Sequence, residues 1–359
     1  MIGTSFGEFG IVYALLALSF LIFFHELGHF LAARFFGVKV EVFSIGFGKR
    51  FFTKKIGDTE YSLSVILLGG YVKMKGQDDT NPNAKSYDSD SYNSKKPWQR
   101  IIILASGPFA NFVLAFLLYF LISCVGVLSL SPVIGKIESN SAAFHASLQA
   151  NDTIKEINGK PIKIWDDIGE NVEKSSGEIN LIIERNGKFL NINLTPKIGD
   201  SENIFREKIQ KKMIGISPSG QTHIEHYKGL DTLNYAFKET YKASTLILQS
   251  LQKFVTGVLS PKELGGVVMI VDVSSDFAKA GIVPFLILVA MISVNLGVLN
   301  LLPIPALDGG HIIFNIYEWI FKKPPSEKVF YNLTVLGWIL LLSLMIFVTY
   351  NDIVRLLNR

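Results

Sequence analysis

Long apolar runs alternate with polar stretches along this 359-residue chain. Four of the runs, near residues 9–34, 101–123, 283–304 and 332–350, approach the roughly 20 residues that an α-helix needs to cross a bilayer. The first follows Glu8, has no basic residue before it and no small-residue cleavage site after it, so it reads as a retained helix and not as a signal peptide. The expected membrane helices cover 1–36, 101–123, 283–310 and 330–350.

Between the second and third runs the pattern changes. From Pro132 to about Pro218, short β-branched runs are broken by turn signals such as Asn158-Gly159 and Asn186-Gly187, which predicts a soluble β domain over 131–220. Within it, SLQANDTIKEINGKPI (147–162) resembles the signature of a PDZ domain. Asn151 stands where that fold usually has glycine, and asparagine also visits the left-handed region. MIGISP (213–218) resembles the strand and carboxylate loop that close a circularly permuted PDZ domain, which makes Ile214, Gly215 and Ile216 the expected peptide loop. Farther on, 228–260 sets Leu230, Leu233, Phe237, Tyr241, Leu248, Leu251 and Val255 at helical spacing among charged residues and glutamines. That stretch predicts an amphipathic helix, docked at the outer membrane face or packed on the β domain.

The connection over 37–100 contains a different signal. EYSLSVILLGGYVKMKG (60–76) alternates Tyr61, Leu63 and Val65 with Ser62 and Ser64 and then reaches Gly69-Gly70, which predicts a hairpin turning at the glycines. Non-helical backbone is tolerated at membrane depth where it lines a wet cavity, so the hairpin is expected to be membrane-associated. Its edge could receive an extended substrate by strand addition. The fold class is thus a polytopic α-helical membrane protein of about four transmembrane helices, with a membrane-associated β-hairpin and an inserted soluble PDZ-like β domain.

Composition supports the membrane reading: the chain is 49% hydrophobic with a mean hydropathy of +0.33. Against 31 acidic residues stand 35 basic ones, a net charge of +4 that is too small and scattered to suggest nucleic acid. Arg34, Lys39, Lys49, Arg50, Lys54, Lys55, Lys95, Lys96 and Arg100 place the first connection in the cytoplasm, and Lys322, Lys323 and Lys328 place the last one there. The β domain then lies outside, with weak dissent from Arg355 and Arg359. Cys124 is the only cysteine, so any metal must be held by His, Asp or Glu.

Such residues occur where a membrane normally forbids them. HELGHFLAARFFG (25–37) puts His25 and His29 four apart on one helical face, with Glu26 beside them. Two imidazoles so placed suit zinc, and a neighbouring glutamate suits a general base. Ionisable groups cost roughly 2.5–3.5 kcal/mol each at the centre of a membrane helix on insertion scales, so a function that offsets the cost is expected. SVNLGVLNLLPIPALDGGH (293–311) offers a third ligand. Pro303 and Pro305 break the helix and Gly309-Gly310 allows close backbone approach, so Asp308 can turn toward a cavity; His311 ranks below it as an alternative.

His25-Glu26-x-x-His29 in the first span, Gly107-Pro108-x-x-Asn111 in the second and Leu307-Asp308-Gly309 in the third together resemble the site-2 protease family of intramembrane zinc metalloproteases. With a PDZ-like domain between spans two and three, the resemblance is to the bacterial regulator-of-sigma-E protease type. It implies one zinc per chain held by His25, His29 and Asp308, with Glu26 as catalytic base. It also implies that Asn295, Asn300, Pro303 and Pro305, with Gly69, Gly70 and Tyr71 of the β-hairpin, contact substrate.

The implied function is hydrolysis of single-span membrane proteins, anti-sigma-factor-like or remnant signal peptides, in the bacterial inner membrane. The active site would face the cytoplasm. The implied partners are those substrates, the bilayer and a peptide ligand of the PDZ-like domain, with no nucleic acid. Family members often carry two PDZ domains and this chain has room for one. A PDZ-bearing scaffold without protease activity is the competing class, weakened by the intact Glu26. A transporter is disfavoured because no inverted repeat is evident.

Overall fold

The computed structural model describes residues 10–77 and 86–358, so the expectation built on Glu8 lies outside the described residues. The chain divides into two units. Ser123–Thr232 form the inserted one, and the parts before and after it form the other.

The flanking unit begins with α1, Gly10–Phe35. Gly37 ends the helix in the left-handed region at φ 67°, with Val38 N–H bonded back to Ala33 O and Gly37 N–H to Arg34 O. Strands β1 (Val40–Ile56) and β2 (Thr59–Met74) then pair antiparallel. Both are bent, because Ser44 pairs with Ser62 on one side and Tyr71 on the other, while Arg50 to Ile56 pair with Ser64 to Thr59. The result is a sheet of short segments in the order 50–56, 59–64, 40–46, 70–74, with Gly70–Met74 at an edge.

The chain reverses between Ile56 and Thr59, at Gly57-Asp58. The chain also turns back between Ser64 and Gly70, because Glu60 to Leu63 rise with Val42 to Ile45 whereas Gly70 to Lys73 run against the same residues. Gly69-Gly70, expected to form the turn, lie at the end of this reversal, inside β2, where the absence of a side chain at Gly69 makes room for the Phe47 ring. The sheet base packs on α1 through Phe43, whose ring meets Phe23 at 5.8 Å and Phe30 at 5.5 Å. Ala33, Val38, Val40, Met74, Tyr92 and Ile103 form the buried core beneath it. The second long helix, α2, runs Pro97–Val125, starting a turn earlier than the apolar run alone indicates.

The inserted unit contains β3 (Val127–Leu130), β4 (Ile134–Ile137), α3 (Ala142–His145), β5 (Thr153–Ile157), β6 (Lys160–Pro161), α4 (Trp165–Lys174), β7 (Ile179–Arg185), β8 (Lys188–Leu194), β9 (Lys197–Glu202), β10 (Lys208–Met213), β11 (Ile216–Pro218) and β12 (Thr222–Glu225). Its main sheet has the order β6-β5-β7-β8, and the pairs β4–β11, β3–β12 and β9–β10 are antiparallel. Asn158-Gly159 and Asn186-Gly187 both take positive φ and form two-residue hairpin turns, and Asn151 adopts φ 69°. Alternate residues Ile179, Leu181 and Ile183 of β7 are fully buried against Ile154, Ile157, Ile168 and Val172.

Under that core, Asp152 is wholly buried. It receives Arg185 Nε and Nη2 at 2.7 Å each and Gln149 N–H at 2.7 Å. Its carboxylate holds the Arg185 guanidinium above its ordinary pKa. Removing one partner of a buried pair costs about 3–5 kcal/mol because the other is left uncompensated. Asp152→Ala in the full-length protein should therefore speed amide hydrogen exchange in β5 and β7 by roughly 100-fold or more, since about 1.4 kcal/mol is tenfold. Unchanged protection of these strands would refute the assignment.

The flanking unit resumes with α5 (Leu230–Val255), α6 (Val267–Ala280), α7 (Ile282–Asn300), α8 (Asp308–Phe321) and α9 (Glu327–Leu357). In α5 the buried positions are Thr232 and the small Ala236 and Ala243, while Phe237, Tyr241, Leu248 and Val255 are exposed. Helix α6 packs against α1. The third apolar run does not continue to residue 310: α7 stops at Asn300, the turn over 301–307 contains both prolines, and Asp308 opens the next helix. Helices α1, α2, α7 and α9 are long and apolar enough to cross a membrane.

Candidate metal centre

The helical period brings His25 and His29 together on α1 with their Nε2 atoms 3.2 Å apart. The break after α7 lets Asp308, at the start of α8, meet both. Its Oδ2 lies 3.2 Å from His25 Nε2 and 3.5 Å from His29 Nε2. Ligands about 2.0–2.1 Å from a tetrahedral zinc stand about 3.3–3.4 Å from one another, so this triangle has the dimensions of one zinc site. Among the described residues this is the one group of three such side chains close enough to share an ion.

Hydrogen bonds set the imidazoles for that task. His29 Nδ1 lies 2.8 Å from Ile103 O, and a carbonyl can only accept, so Nδ1 carries the hydrogen and Nε2 keeps its lone pair. His25 Nδ1 lies 3.2 Å from Asn111 Nδ2, while Asn111 Oδ1 is buried without a partner. Turning the carboxamide over gives Oδ1 the Nδ1–H of His25, satisfies the orphaned oxygen and frees His25 Nε2 in the same way. The donor set and its surroundings therefore fit zinc.

Helix α2 can supply these partners only by close contact with α1. Ser106 Oγ spans Gly28 O at 2.9 Å and Ile103 O at 2.6 Å, and any side chain on Gly107 would overlap the His29 ring. The Gly107-Pro108-x-x-Asn111 motif was the signal of these α2 contacts, since a glycine and an asparagine four apart point along one helical face.

Other expected site residues fall at different distances from the donors. Glu26 follows His25 on α1, and a Cβ placed on Gly70 would stand 3.2 Å from Glu26 Cγ, so β2 runs beside the glutamate. Tyr71 is turned to Phe47, which it stacks at 6.3 Å, and takes a hydrogen bond at 2.6 Å from Arg50. Asn300 Nδ2 lies 3.5 Å from His25 Nε2, at the margin of the cluster, whereas Asn295 is exposed on α7. Pro303 is exposed and Pro305 half-buried in the turn before Asp308. His311, the alternative ligand, faces the rings of Phe314 and Phe330 instead of the donors. In the inserted unit, Ile214, Gly215 and Ile216 line a cavity of about 260 Å³ opposite Trp165, Ile168 and Val172 of α4.

Residues 13–344 match peptidase family M50. The chain is 47% identical to a protein of Campylobacter jejuni named as a candidate zinc metalloprotease, over all of this chain and 97% of the relative. Similarly named proteins of Helicobacter pylori and Clostridium acetobutylicum are 42% and 37% identical, covering 96% and 98% of this chain and 99% of each relative. A match over this length, on a chain whose HExxH helix and Leu307-Asp308-Gly309 turn converge, places the protein in peptidase family M50, the site-2 protease family.

Proposed function

We propose that the chain is a zinc-dependent endopeptidase of the bacterial cytoplasmic membrane, of the regulator-of-sigma-E type. It cleaves single-span membrane proteins, anti-sigma-factor-like or remnant signal peptides, in regulated proteolysis. The observation that carries this is the convergence of His25, His29 and Asp308 within 3.5 Å of one another, with Glu26 on the same helix. Those three residues would hold one ion per chain, in a centre that opens toward the cytoplasm. When bound, zinc supplies a Lewis acid that polarises the scissile carbonyl and makes water a nucleophile at neutral pH. Glu26 takes the proton from that water and carries it to the leaving amine. Asn111 and the Ile103 carbonyl fix the imidazole tautomers throughout. In the inserted unit, the cavity beside Ile214, Gly215 and Ile216 takes a peptide end.

Zinc analysis of the purified protein, with and without a strong chelator, tests this together with cleavage of a reconstituted single-span substrate. One zinc per chain and chelator-sensitive, zinc-restorable cleavage are expected; metal-free protein with full activity would refute it.

A helical substrate hides its carbonyls in its own hydrogen bonds and must be unwound before cleavage. The edge segment Gly70–Met74 runs beside Glu26 and is placed to pair with the unwound chain, exchanging helix bonds for sheet bonds. Val72→Pro removes a donor from that segment. It should lower turnover of a transmembrane substrate about tenfold, the worth of one hydrogen bond, while sparing an already extended peptide. Equal losses on both, with zinc retained, would end the pairing idea.

A further inference from the structure

Helix α8, which carries Asp308, is tied down at both ends. At its start the carboxylate meets His25 and His29. In its last turn Glu318 Oε1 lies 2.5 Å from Arg100 Nη2 on α2, with the two side chains only 11% and 23% exposed in the order Arg100, Glu318. Between these ties much of the helix is open, with Ile313, Ile316 and Tyr317 exposed.

Both charges sit at the helix end that disfavours them. Arg100 lies in the first turn of α2, where the helix dipole is positive, and Glu318 in the last turn of α8, where it is negative. Neither stabilises its own helix, so the gain must come from their pairing. Arg100 also stands 6.0 Å from the centre of the buried Tyr92 ring, and Tyr92 N–H bonds to Lys75 O just past β2. The guanidinium thus links α8 both to the helix that orients the histidines and to the strand beside Glu26.

We propose that Arg100 and Glu318 are positioning residues that fix the register of α8 against α2 and so hold Asp308 at the histidines. The proposal rests on the zinc reading of the donor cluster. Ten residues of helix separate Glu318 from Asp308, about 15 Å of rigid rod, so a slip at one end is passed to the other. Metal sites tolerate displacements of only about 0.5 Å. An arginine present solely to mark the cytoplasmic side would need no partner on α8.

Chelator competition on zinc-loaded full-length protein in detergent tests this with Glu318→Gln, Arg100→Gln and the exchange R100E/E318R. Each single variant should hold zinc about 10-fold or more weakly, the size of effect seen when the support of a metal ligand is lost. The exchange should return to within a few-fold of the parent, because it restores the pair and agrees with both dipoles. Single variants that bind like the parent overturn the proposal, as does an exchange no tighter than the singles. Spin labels on cysteines placed at Gln99 and Ile320, in a Cys124→Ser background because Cys124 is exposed, supply a metal-free readout: Glu318→Gln should broaden their distance distribution and the exchange should narrow it again. If the singles do not purify, the exchange decides by the same two measurements. A parent protein that binds no zinc sinks the proposed function instead, and the label distances still judge the clamp.

Discussion

Glu26→Gln should keep its full zinc content and lose about 10²–10⁴-fold in turnover, the range expected when a positioned general base is removed. Glutamine preserves the shape and packing beside Gly70 but cannot accept a proton. His25, His29 and Asp308 are untouched, so the metal has no reason to leave. Parallel zinc analysis and cleavage of a reconstituted single-span substrate separate the two properties. Near-normal turnover in this variant would remove Glu26 from the mechanism.

Asp308→Ala should do the reverse and fail at the metal. Two imidazoles remain, short of the three protein ligands of a catalytic zinc site, and the variant should emerge from dialysis against a mild chelator without zinc and without activity. His29→Ala should behave alike. His311→Ala should keep the metal, because that ring is occupied with Phe314 and Phe330. Zinc lost from His311→Ala but retained in Asp308→Ala would exchange their roles.

The parts of the site legible in the sequence are those set by local geometry. The spacing of His25 and His29 needs nothing beyond the helical period, and Pro303 and Pro305 announce the break that frees Asp308. Ile103 O, Gly107 and Asn111 become partners of the histidines only through the packing of α2 on α1; the Gly107 to Asn111 spacing marks the face that packs, but nothing local to α2 says that His25 and His29 lie opposite it. The sheet is legible in part for a related reason. Alternation marks Tyr61 to Val65, and Gly69-Gly70 mark the end of the reversal that follows, where they also permit close approach to Phe47, Ser44 and Glu26, while the earlier turn at Gly57-Asp58 follows a basic and aromatic stretch without alternation. Helices α6 and α8 were missed because each is 14 residues long, too short to register as a span. In the inserted unit, by contrast, both Asn-Gly turns fell where expected, since their positive φ values demand those residues.

The donors lie near opposite ends of the chain, and this gives biosynthesis a timetable. A ribosome adds about 5–20 residues per second, so Asp308 is made some tens of seconds after His29. During that interval the nascent protein already has its glutamate and two imidazoles in the membrane but lacks the third donor. On the proposed function, a half-made copy, or one truncated by a broken message, would therefore hold neither the metal nor the power to cut, both of which would arrive only with Asp308.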